Sequence, residues 1–155
     1  MSVYRRFPTE NMPSFITTNT YERRRVFSSP QACDLLVDTL YDVLSETQTQ
    51  LLAFAIMPDH LHAIVVAGLA GLPKAVQLIK GRFSRAHNLG AHTSGPVWQG
   101  RYHERTLLTE AALFAAIEYV HLNPVNADLA QTPEDYPFSS ANARFQTHLE
   151  EYLGA

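Results

Sequence analysis

The sequence predicts an α+β fold built on one antiparallel sheet, and three observations carry that expectation. Short runs rich in β-branched and aromatic residues alternate with longer stretches of helical periodicity. Two of the short runs, at 50–57 and 60–67, are separated only by Pro58–Asp59, a hairpin corner. The pieces follow one another as β-α-β-β-α-β, with one helix more at the end.

In order, PSFITTNT (13–20) reads as the first strand. A helix follows from Ser29–Pro30 to about Glu46. Leu35, Leu36, Leu40, Val43 and Leu44 make its inner stripe, and Asp34, Asp38, Asp42 and Glu46 an acidic outer one. After the hairpin and the Gly68–Gly71 loop, the second helix runs from Leu72 to about Asn88. Val76, Ile79 and Phe83 point inward, and Lys80 and Arg82 outward. LGAHTSGP (89–96) is a loop, and VWQGRYHERTLL (97–108) holds the fourth strand. Thr109 is placed to cap a last helix, with Glu110 favourable to its dipole, and Pro124 should end or bend that helix near Asn123. This order is ferredoxin-like (RRM-like). The 155 residues form one domain, with a core over about 13–128 and an irregular tail over 129–155.

Composition narrows the function classes. With 46% hydrophobic and 17% charged residues the chain is an ordinary globular one. LLAFAIM (51–57) is its greasiest run, too short to span a bilayer. MSVYRRFPTENM shows no apolar leader segment, and Cys33 has no partner for a disulfide, so a reducing, cytoplasmic setting is expected. The net charge of −3 hides segregation. Arg5, Arg6, Arg23, Arg24 and Arg25 face only Glu10 and Glu22. Lys74, Lys80, Arg82, Arg85, Arg101 and Arg105 face only Glu104 across 71–108. Two basic blocks between acidic helices fit a charged binding face. Two solvated surfaces account for the charge pattern alone at least as well.

MPDHLHAIVV (57–66) is the most informative stretch. His60 and His62, two apart on a strand, project from the same face, which is either a metal site or an unusual piece of core. The strand is interior in the expected topology and apolar on both faces beyond the histidines, so both faces must be covered. The two crossover helices can cover one face, and the last helix is the candidate for the other. Its core stripe is Leu113, Phe114, Ile117 and Val120, with His121 in the same arc as a partly buried, hydrogen-bonded residue. Ala112, Ala116, Tyr119 and Asn123 form the neighbouring stripe, where two alanines leave room around one phenol and one carboxamide. Either Tyr119 holds its hydroxyl in water at the edge of the core, or it faces the histidines together with Asn123.

Two imidazoles and one oxygen ligand can hold a divalent ion and leave positions for substrate oxygens. Beside such an ion a tyrosine hydroxyl, ordinarily a poor nucleophile with a pKa of about 10, could attack a phosphodiester. The covalent phosphotyrosine would keep the ester for later rejoining.

His60-Leu61-His62 within MPDHLHAIV, together with EYVHLNPVNADL (118–129), resembles the motifs of the single-tyrosine HUH transposases, particularly the REP-associated tyrosine transposases. YRRF, FITTNTYERRRVF, IKGRFSRAHN (79–88), VWQGRYHERTL (97–107) and YPFSSANAR (136–144) match as well, in order along most of the chain. The resemblance implies metal-dependent cleavage and joining of single-stranded DNA guided by short hairpins. It implies His60 and His62 as metal ligands, Tyr119 as nucleophile, Asn123 as third ligand, and Mg2+ or Mn2+ as cofactor. Such an enzyme would lie in the cytoplasm, on the nucleoid when bound to DNA. Relatives include dimers and monomers, and the sequence leaves a homodimer open. Asn126 and Asp128 depart from the family's more basic tyrosine motif, as does a pI of about 6.1. Arg23, Arg24, Arg25, Lys80, Arg82, Arg85, Arg101 and Arg105 are the expected DNA contacts, with Trp98, Tyr102 and His103 as stacking surfaces, and a core anchor is an equally good account of Trp98. A non-catalytic single-strand binder and a phosphodiesterase that uses water remain the alternatives.

Overall fold

The computed structural model describes residues 5–154; Met1–Tyr4, within the stretch read as leaderless, and Ala155 lie outside the described residues. The chain forms strand β1 (Ser14–Asn19), helix α1 (Pro30–Glu46), strands β2 (Gln50–Met57) and β3 (His60–Val66), helix α2 (Leu72–Ala91), strand β4 (His103–Thr106), and helices α3 (Glu110–Asn126) and α4 (Leu149–Gly154). The strands make one antiparallel sheet in the order β2-β3-β1-β4, which is the ferredoxin-like arrangement. β3 is interior, as the sequence predicts.

Alternation along β3 sends Leu61, Ala63 and Val65 to one face and His62, Ile64 and Val66 to the other. α1 and α2 close the first face. Leu36, Leu40, Val43, Val76, Ile79 and Phe83 pack on Ile16, Phe54 and Ile56, and Phe27 and Trp98 fill the end of that layer. Trp98 is therefore a core residue: its ring lies 5.5 Å from that of Phe27 and 5.6 Å from that of Phe83. On the second face, Leu113, Ala116, Ile117 and Val120 of α3 pack over Phe15, Ile64 and the small residues Ala53 and Ala55. A bulge between Leu51 and Ala53 turns two successive residues, Leu52 and Ala53, toward this layer.

Side chains cap the starts of α1 and α3, the latter as expected, whereas α2 begins at Gly71 with no side-chain cap. Ser29 Oγ accepts from the Ala32 amide at 3.3 Å, and Thr109 Oγ1 from the Ala112 amide at 3.1 Å. At Gly68 an added Cβ would meet the Thr47 carbonyl oxygen at 2.2 Å, so only glycine lets the β3–α2 loop cross the end of α1.

Four expectations need correction. α2 runs past Asn88 and Gly90 to Ala91, because His92 takes the left-handed cap conformation (φ 55°). The Asn88 carboxamide then ties down the loop through Gly95 and Thr93. α3 does not stop before Pro124; it continues to Asn126 with Pro124 buried. The buried arc of α3 is centred on Leu113, Ile117 and Val120, so Phe114 falls at its margin and is 45% exposed. Glu110 lies in the first turn of α3, as its fit to the dipole predicts, and there it is 2% exposed and pairs with Arg5 at 3.8 Å. The fourth strand lies within 97–108 but holds only four exposed residues, so Arg101, expected to share a strand face with His103 and Arg105, precedes it.

The tail carries α4 and a stretch that guards the free edge of β2. There the Ile56 amide donates to the Phe138 carbonyl and the Ser140 amide to the Phe54 carbonyl, both at 2.9 Å. No helix among the described residues is long and apolar enough to cross a membrane.

Candidate active site

The site lies at the end of the sheet where β3 begins and α3 leaves the surface only partly covered. The β1–β3 register sets Thr17 opposite His62 and Asn19 opposite His60. One cleft there is lined by Thr17, Asn19, Arg23, His60, His62, Tyr119 and Asn123. A second, of about 260 Å³, shares Thr17, His62 and Tyr119 and is completed by Phe15, His103, Glu104 and Arg105. The two clefts adjoin at these three shared residues as halves of one groove.

The two imidazoles meet through their ε nitrogens, with His60 Nε2 3.1 Å from His62 Nε2. Each ring is held from behind. His60 Nδ1–H donates to Asp59 Oδ1 at 2.7 Å, and His62 Nδ1 pairs with Thr17 Oγ1 at 2.8 Å. Because Asp59 can only accept, the neutral His60 ring carries its proton on Nδ1 and presents a lone pair at Nε2. With His62 in the same tautomer, two lone pairs converge on one point, which is repulsive alone and relieved by a cation. Two nitrogens bound at a right angle to one ion, each about 2.1 Å from it, stand about 3 Å apart. The pair therefore fits a shared divalent ion.

Electrostatics favour the ligand form. Burial pushes the His62 imidazole down to about 3, with His60 and the Arg23 guanidinium adding to the effect, so His62 is neutral at ordinary pH. Burial would raise the Asp59 carboxyl, but hydrogen bonds from Arg23 and His60 outweigh it and hold that carboxyl below its usual range.

Among the described residues, no third His, Cys, Asp or Glu joins the pair as a metal-binding cluster. Asn123, on the cleft wall one helical turn beyond Tyr119, can offer a neutral amide oxygen there. The Tyr119 ring centroid lies 5.7 Å from that of His62 and 6.0 Å from that of Phe15, and the residue is 52% exposed. A half-exposed phenol beside a pair of converging imidazoles, all from one chain, is the central feature of the site.

The structure separates the expected basic residues. Arg23 reaches the cleft beside His60 and donates from Nε to Asp59 Oδ2 at 3.0 Å. Arg105 reaches the other cleft, its guanidinium 5.6 Å from the Phe15 ring centroid. Arg24 lies over the Tyr21 ring and pairs with Glu22, while Arg25 and Arg101 are exposed. Lys80, Arg82 and Arg85 belong to α2, in the layer behind the sheet. Lys80, expected to point outward, donates to the Gln99 carbonyl at 2.7 Å, and Arg82 pairs with Glu46 at 2.6 Å. His121, as expected, is partly buried and hydrogen-bonded, 2.7 Å from Ser140 Oγ.

Sequence reasoning passed over Thr17 and the load carried by Asp59. The threonine–histidine pairing was legible only through the β1–β3 register, although TTNT and HLH both lie on strands.

Residues 10–123 match the family described as IS200-like transposases. Over 142 residues the chain is 25% identical to the REP-associated tyrosine transposase of Escherichia coli (strain K12), covering 90% of this chain and 82% of that one. In fold it resembles a REP-associated tyrosine transposase solved bound to a REP hairpin, with a TM-score of 0.74 at 24% identity, covering 94% of this chain and 89% of that one. A putative transposase from Deinococcus radiodurans R1 is more distant, at TM-score 0.55 and 23% identity over 77% of this chain and 95% of that one. The converging imidazoles, the adjoining phenol and a match over most of the chain lead to one assignment: the protein belongs to the IS200-like transposase family.

Proposed function

We propose that this transposase cuts and rejoins single-stranded DNA beside hairpins through a covalent 5′-phosphotyrosine on Tyr119. His60 and His62, with Asn123 as third ligand, would hold a divalent ion, Mg2+ or Mn2+. The single observation that carries this reading is the Tyr119 ring 5.7 Å from a histidine whose Nε2 converges with that of its neighbour.

In the cutting step the Tyr119 oxygen, having lost its proton, attacks phosphorus. The bond to the 3′ oxygen breaks and that oxygen leaves as a hydroxyl after taking up a proton. Joining runs in reverse: a 3′-hydroxyl attacks the phosphotyrosine and Tyr119 departs. When bound, the ion supplies polarisation of the phosphoryl group and neutralises charge developing on its oxygens. His62 stays neutral through burial and so keeps a lone pair free. Arg23 and Arg105, one in each half of the groove, are placed for phosphates on either side of the tyrosine. Arg24, Arg25 and Arg101 are exposed for a hairpin stem. The phenol and the imidazoles belong to the same chain, so no second copy is required to bring them together.

The hairpin partner is supported by the structural neighbour, which was solved with a REP hairpin. The test uses a labelled hairpin with a single-stranded flank, incubated with Mg2+ and then denatured. A covalent adduct is expected with the wild-type chain and none with Tyr119→Phe. Cleavage without an adduct would instead make the protein a phosphodiesterase using water, and binding alone a non-catalytic single-strand binder.

A further inference from the structure

The loop between β1 and α1 holds two successive residues in the left-handed region, Glu22 and Arg23, both at φ 55° and neither a glycine. Side chains rarely adopt that conformation, and it persists only where surrounding contacts impose it. Here they do. The Thr20 amide donates to the Asp59 carbonyl at 2.9 Å, and the Thr20 hydroxyl donates to the Arg24 carbonyl at 2.6 Å. The Phe27 amide donates to the Pro58 carbonyl at 2.9 Å. The loop is thus fastened at both ends to the β2–β3 corner, and its strained residues carry one side chain back across that corner. Arg23 Nε then meets Asp59 Oδ2 at 3.0 Å, while Asp59 Oδ1 accepts from His60 Nδ1 at 2.7 Å. The two carboxylate oxygens are used in opposite directions, one by the guanidinium and one by the imidazole.

We infer that Arg23 is a positioning residue for the metal site, bracing Asp59 so that Asp59 fixes the ring and tautomer of His60. This rests on the proposed metal-dependent reading and goes beyond the expectation of Arg23 as a DNA contact. Without the guanidinium, the Asp59 side chain can rotate toward solvent, and His60 loses the acceptor that keeps its proton on Nδ1. Partners behind metal-bound histidines commonly change metal affinity by about 10–100-fold when removed. Arg24 and Arg25, one and two residues on, make no hydrogen bond to Asp59 among the described residues and serve as internal controls.

The experiment measures Mn2+ affinity calorimetrically on the full chain without DNA, so that the readout is independent of catalysis. Arg23→Met should weaken Mn2+ by about tenfold or more, and Arg23→Lys should recover part of the loss. Asp59→Asn should weaken it at least as much. The double variant should be no weaker than Asp59→Asn alone, because the arginine acts through the carboxylate. Arg24→Met should bind Mn2+ as the wild type does. Should Arg23→Met unfold the loop, Arg23→Lys decides in its place: a loss of Mn2+ affinity that vanishes in the Asp59→Asn background supports the inference, and one that persists there overturns it.

Wild-type affinity in Arg23→Met, or losses that add in the double variant, overturns the inference while leaving the metal site standing. Failure of the wild type to bind Mn2+, or equal binding by His60→Ala, overturns the metal reading itself and the brace with it.

Discussion

The two faces of the sheet are covered to different degrees. Under α1 and α2 the layer is closed from end to end, with Leu36, Leu40, Phe54 and Phe83 fully buried. Under α3 the layer is equally dry through Ile64, Ala53 and Val120, but it opens where β3 begins. There the covering helix contributes Tyr119 and Asn123 in place of further apolar residues, and the sheet contributes Thr17, His60 and His62. The same strand thus ends in packing on one side and in polar, convergent groups on the other. Chemistry needs groups that packing alone would not select, and they sit where a helix stops covering the sheet.

The largest effect that would sharpen this contrast is a loss of activity without loss of fold. His60→Ala should reduce adduct formation on hairpin DNA to background, since one of the two imidazoles proposed to hold the ion is gone. The same variant should change unfolding free energy by no more than about 1 kcal/mol, because the ring contributes little to the apolar layer. Chelation of divalent ions should silence the wild type equally and reversibly. If His60→Ala is instead unfolded at room temperature, the histidine is structural and the two faces are alike.

The mirror experiment removes packing on the closed face. Phe83 lies 5.2 Å from the Phe27 ring and 5.6 Å from Trp98. Phe83→Ala should cost about 3–5 kcal/mol in urea unfolding, a large fraction of the stability of such a domain. Adduct formation per folded molecule should stay near the wild-type value. A selective loss of activity would show that the closed face reaches the site, and the division between the faces would fail.

Much of this division was legible in the sequence, because it rests on local periodicity. Alternation in HLHAIVV and the stripe Leu36, Leu40, Val43 each announce an element and its buried side. The His60–His62 pair and the Tyr119–Asn123 stripe were legible for the same reason, since each is set by spacing within one element. What stayed hidden depends on contacts between distant segments. Thr17 becomes the partner of His62 only through the register of β1 on β3. Arg23 reaches Asp59 only because Thr20 and Phe27 hold a strained loop against the hairpin corner. The end of α3 was misread because Pro124 follows a residue that ordinarily avoids helical backbone. Its burial, and the Leu129 amide donating to the Pro124 carbonyl at 2.8 Å, favour continuing the helix over that local preference.

The smallest predicted effect compares the two helix caps, one for each face. Ser29→Ala and Thr109→Ala each remove a hydroxyl that accepts from the amide three residues on, and each should cost about 1 kcal/mol. The Thr109 cap begins the helix that carries Tyr119, the proposed nucleophile, so intuition would give it the larger effect on activity. Tyr119 lies nearly three turns further along, however, and a lost cap frays chiefly the first turn. Leu113, Ile117 and Val120 hold the intervening turns to the sheet. Urea unfolding should therefore show similar losses for the two variants, and the rate of adduct formation should fall by less than about twofold in either. A marked loss of adduct in Thr109→Ala alone would mean that α3 is oriented from its N-terminus, and that its apolar contacts hold the tyrosine only loosely over the histidines.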